Sequence, residues 1–68
     1  MEIKLNNRNE SIVGVDSMTV SELLVHKNYT YKMLVVKINQ HVIKKSSFSN
    51  TIIKDGDDVI ILHLIAGG

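Results

Sequence analysis

The sequence predicts an α+β domain, a mixed sheet of four to five strands with one short helix packed on one face. Three observations carry this. Several short segments are rich in β-branched residues or alternate polar and apolar residues with period two. One segment near residue 20 has a capped helix start and a helical apolar spacing. The segment at residues 59–65 is almost continuously apolar, as a central strand covered on both faces would be.

Glu2-Ile3-Lys4-Leu5-Asn6 alternates, which places Ile3 and Leu5 on the core face of a first strand. Asn7-Arg8-Asn9 has turn chemistry, because asparagine tolerates left-handed backbone. Residues 10–15 return as a second strand, with Gly14 marking a bend or bulge. Asp16-Ser17-Met18 then leads into a helix. Thr19-Val20-Ser21-Glu22 fits the capping box, in which the Thr19 hydroxyl accepts from the Glu22 N–H and the Glu22 carboxylate from the Thr19 N–H. Val20, Leu23 and Leu24 form one apolar stripe, and Lys27-Asn28 suits the helix end. Such a helix spans about two turns and needs a sheet to hold it.

Leu34-Val35-Val36-Lys37-Ile38 reads as a third strand and Asn39-Gln40 as a turn. Val42-Ile43-Lys44 is a short fourth strand. Ser46 to Asn50 is a loop anchored in the core by Phe48, and Lys54-Asp55-Gly56-Asp57 is a further turn. The order is hairpin, helix, then three strands. A right-handed crossover brings the last strand parallel beside the first, which is the β-grasp arrangement.

A single domain spanning residues 1–68 is expected, with a flexible tail at about residues 65–68. A chain of this size has no room for a deep cleft between lobes, which favours a carrier, adaptor or binding module over an enzyme. Eight Lys/Arg against seven Asp/Glu give a net charge of +1, without the basic stripe of a nucleic-acid binder. Tyr29, Tyr31 and Phe48 make a poor stacking platform. There is no cysteine, so no thiolate metal site and no thiol nucleophile. No apolar run approaches membrane-spanning length, and a cytoplasmic protein that is monomeric when free is the expectation.

Four pieces, taken in order, resemble one known family. They are Thr19-Val20-x-x-Leu23-Leu24, Val36-x-Ile38-Asn39, Asp55-Gly56-Asp57-x-Val59 and Ile65-Ala66-Gly67-Gly68. Together they resemble the sulfur carriers of thiamine biosynthesis, the ThiS family, within the ubiquitin-like β-grasp superfamily. The likeness covers essentially the whole chain. It departs from the commoner pattern where Gln40 follows Asn39 in place of Gly, and where Lys44 stands in place of Pro.

The resemblance implies that Gly68 carries the reactive group on its main-chain carboxylate and that Gly67 gives it access. An adenylating, E1-like activating enzyme uses ATP on that carboxylate. Sulfur mobilised from cysteine by a desulfurase replaces AMP, and the resulting thiocarboxylate serves thiazole synthase. The carrier itself binds no cofactor or metal and supplies no catalytic residue. The residue types suit the role. Glycine without a Cβ passes through a narrow channel and approaches a partner backbone closely. A frayed end explains the same dipeptide. Against that stand its position, the apolar strand before it and the β-grasp reading. A carrier for molybdopterin or another pathway, and a non-covalent β-grasp interaction module, remain the alternatives.

The last strand adds a docking hypothesis. If Val59 and Ile61 face the helix, then Ile60, Leu62 and Leu64 point to the opposite face of the sheet. Exposed apolar surface of that kind marks an interaction site, and Ile65 and Ala66 continue it into the tail. Loops or the Phe48 segment covering that face is the competing expectation. His26, His41 and His63 lack the spacing of a metal site, with His63 near enough to the tail for a partner contact. Asp55, Asp57 and Asp58 read as a solvated turn, Lys44-Lys45 as a solvated face, and Ser46, Ser47 and Ser49 as loop residues with no base beside them.

Overall fold

The computed structural model describes residues 1–30 and 32–64. Strands β1 (Glu2–Leu5), β2 (Arg8–Ser11), β4 (Leu34–Ile38), β5 (His41–Ile43) and β7 (Asp58–His63) form a five-stranded sheet. Its order is β2-β1-β7-β4-β5. The last strand lies at the centre, parallel to β1 and antiparallel to β4. Helix α1 (Val20–His26) covers one face. The mixed β-grasp sheet with one short helix is therefore the fold that the sequence predicts.

Two further strands, β3 (Ser17–Thr19) and β6 (Ile52–Lys54), pair antiparallel with Met18 opposite Ile53. They correct the expectation that residues 16–18 are only a lead into the helix. The first turn also sits earlier than expected. Leu5 pairs with Arg8, so the loop is Asn6-Asn7, and both residues have positive φ, 53° and 66°. That is the type I′ signature, whose twist matches a hairpin. The second strand stops at Ser11, so Gly14, with φ 89°, lies beyond it rather than within it. The chain there is tied to the N-terminus, since the Met1 ammonium donates to the carbonyls of Ile12 (2.8 Å) and Val15 (2.9 Å). The short fourth strand runs one residue earlier than expected, at His41–Ile43.

The capping box at Thr19 and Glu22 is present in both directions. Two more first-turn donors are met by the loop ahead of β6: Val20 N–H donates to Thr51 O and Ser21 N–H to Phe48 O, each at 3.0 Å. At the other end Asn28 takes φ 58°, its N–H donates to Val25 O, and Tyr29 N–H donates to Leu24 O. This is a Schellman motif with asparagine in the left-handed position.

Leu23, Ile53, Val20, Val36 and Val59 are fully buried. Each contributes about 1.5–3 kcal/mol relative to exposure. Ile3, Leu5, Ile12, Ile38, Phe48 and Ile61 complete the core around them. Phe48 therefore belongs to the helix-side core and is not a cover for the opposite face. Asp57 is buried rather than solvated. Its carboxylate accepts from Asn39 Nδ2 (3.1 Å) and Lys54 N–H (3.0 Å), and Asn39 Oδ1 accepts from Asp58 N–H (3.0 Å). The two loops at that end of the sheet are thus fastened to each other.

Candidate functional site

Strand β7 has two unlike faces. Val59 and Ile61 are buried under the helix, while Ile60 is half-buried and Leu62 is 48% exposed on the other side. The alternation is the ordinary period of a strand. It corrects the reading of β7 as covered on both faces. Leu64 lies just past β7, 47% exposed, with its N–H donating to Met33 O at 2.9 Å.

The register shows what surrounds these residues. Val35 stands opposite Leu62, Lys37 opposite Ile60, and on the far side of β4 Lys37 stands opposite Val42. Residues directly opposite share a face. The outer face therefore gathers Ile60, Leu62, Val35 and Val42 into one apolar patch, with Val42 64% exposed. Toward the other end the face becomes polar, with Glu2 and Lys4 on β1 and Asp58 at the start of β7. The sequence supplied Ile60, Leu62 and Leu64. Val35, Val42 and Lys37 were missed, and the signal for them is pairing register, which one strand's alternation does not contain.

Asn6 holds β7 where β1 stops. Its N–H donates to Val59 O (2.9 Å), and its side-chain Oδ1 accepts from Ile61 N–H (2.8 Å). Beside it is a notch of about 120 Å³ lined by Asn6, Tyr29, Leu34, Ile61 and His63. A larger groove of about 440 Å³ runs along the helix past Ser21, Glu22, Val25 and His26. His26, His41 and His63 fall at the end of the helix, the start of β5 and the end of β7. Among the described residues no three His, Asp or Glu side chains come together as a metal site. No helix among them is long and apolar enough to cross a membrane. The remaining predicted site residues, Ile65, Ala66, Gly67 and Gly68, lie outside the described residues.

The profile of the ThiS family matches residues 3–68, through the last glycine. The chain is 32% identical over 68 residues to the sulfur carrier protein ThiS of Escherichia coli K12, covering all of both chains. It is also similar to the crystal structure of the thiamine biosynthesis protein ThiS from Geobacter metallireducens. There the TM-score is 0.90 at 30% identity, with both chains fully covered. A solution structure of a thiamine biosynthesis protein from the same organism gives a TM-score of 0.82 at 30% identity, covering all of this chain and 88% of that one. A family match over nearly every residue, with the same fold in solved structures, leaves one assignment: the chain belongs to the ThiS family.

Proposed function

We propose that this protein is a sulfur carrier of thiamine biosynthesis, acted on by partner enzymes rather than an enzyme itself. The observation that carries the reading is the ThiS family match running through Gly68. The composition agrees, because a chain without cysteine has no thiol on which sulfur can ride. The main-chain carboxylate of Gly68 is the acceptor. One of its oxygens attacks the α-phosphorus of ATP held by an adenylating enzyme, and pyrophosphate leaves. A persulfide, formed on an enzyme cysteine when a desulfurase takes sulfur from free cysteine, then adds at the acyl carbon through its terminal sulfur and AMP leaves. A thiol of the partner enzyme or of the medium attacks the inner sulfur of the acyl disulfide, forming a disulfide with it and releasing the thiocarboxylate. The resulting terminal thiocarboxylate is the sulfur source for thiazole synthase. The chain contributes Gly67-Gly68, an end without side chains, and the outer face of β7 and β4, with Ile60, Leu62 and Leu64, docks the partner while the end is inserted.

Intact-mass measurement tests this. The protein is incubated with ATP, cysteine, a cysteine desulfurase, a thiol reductant and the adenylating enzyme of its source organism. The expected product is heavier by the exchange of one oxygen for one sulfur, and deletion of Gly68 prevents it. Loading of the truncated chain would show that the terminal-carboxylate mechanism is wrong.

A further inference from the structure

Lys37 breaks the apolar patch. It is half-buried on the outer face, directly opposite Ile60 on one side and Val42 on the other, with Val35 two residues along its own strand. Neighbours at such positions have Cβ atoms about 4.5–5.5 Å apart, so the lysine stem lies between two apolar side chains. Its backbone belongs to the ladders with β7 and β5, but among the described residues its ammonium has no hydrogen bond and no ion pair, whereas Lys27 is paired with Glu10. In the free protein this costs little, because the stem covers apolar surface while the ammonium stays in water.

Docking changes that. A partner that covers Ile60, Leu62 and Val42 also covers the ground between them, and water leaves the ammonium. A desolvated, unpaired charge is among the most unfavourable things an interface can contain. An apolar partner surface would therefore be repelled by the very residue at the centre of the patch.

We propose that the partner face that docks here carries a carboxylate aimed at Lys37, set in an otherwise apolar surface. The pair fixes the register of docking and selects partners by charge. This rests on the docking face described under the proposed function and adds what the partner must present to it.

The test measures loading by the adenylating enzyme of the source organism across carrier concentrations, at low and high salt. The variants are Lys37→Arg, Lys37→Met and Lys37→Glu, with Leu62→Asp as control, each checked for an unchanged urea midpoint. Lys37→Glu is expected to raise KM by about tenfold or more with kcat preserved. Lys37→Met raises it less and removes most of its salt dependence, while Lys37→Arg stays close to the parent. A KM for Lys37→Met equal to or below that of the parent, with Leu62→Asp impaired, overturns the carboxylate and leaves the docking face standing. Unchanged KM in Leu62→Asp as well overturns both.

Discussion

Gln40 has a φ of 72° and Asn39 before it 49°, so both central residues of the β4–β5 loop are left-handed. Asparagine accepts this more readily than glutamine, whose Cβ crowds the carbonyl at a cost of roughly 1–2 kcal/mol. Gln40→Gly is therefore expected to stabilise the protein by about 1 kcal/mol, less what glycine adds to the freedom of the unfolded chain. A higher urea midpoint at unchanged m-value is the sign of it, and a lower one would mean that the Gln40 side chain stabilises the loop. Asn6, with φ 53°, combines the same backbone demand with a side-chain bond to Ile61 N–H. Two substitutions separate these roles. Asn6→Gly keeps the backbone and orphans a donor on a buried residue, a loss of about 1–3 kcal/mol. Asn6→Asp keeps both the acceptor and a tolerance for left-handed φ, and is expected to stay near the parent. Amide exchange at Ile61 should quicken in the glycine variant and not in the aspartate variant.

At the scale of elements, α1 has seven residues, too few to persist alone, so its ends matter. Thr19→Ala removes the acceptor for Glu22 N–H and is expected to cost about 1 kcal/mol. The helix should survive, because Val20 and Ser21 still donate to Thr51 and Phe48; far-UV circular dichroism with urea denaturation reads both. That cap was legible because its residues stand in one short stretch. So were β4, with its run of β-branched residues, and the Asp55-Gly56 turn. Strands β3 and β6 were not legible, because three residues are too few to show a period and each is a strand only through the other. The misplaced first turn has a similar cause. Asn6, Asn7 and Asn9 all tolerate left-handed φ, and only the pairing of Leu5 with Arg8 selects the first two. On the candidate site, alternation along β7 gave Ile60 and Leu62. It could not give Val35, Lys37 and Val42, which join them through strands distant in sequence.

For the molecule as a whole, β7 does two jobs with alternate residues. Val59 and Ile61 close the core, and Ile60 and Leu62 face away from it. A chain of 68 residues has a total stability of about 3–10 kcal/mol. Ile61→Ala, which leaves a cavity under the helix, costs about 2–5 kcal/mol, a large fraction of that total. Leu62→Asp places a charge on a face already in water and removes no core contact, so it should leave the urea midpoint nearly unchanged. The two substitutions, adjacent in sequence, are then expected to lose sulfur loading for opposite reasons. Ile61→Ala should load at low temperature and fail on warming, in step with its own unfolding transition. Leu62→Asp should load poorly at every temperature while remaining folded. Measuring loading and unfolding of both across one temperature series decides the matter. If Leu62→Asp unfolds as early as Ile61→Ala, the outer face belongs to the stability of the fold, and its exposure needs a different explanation from docking.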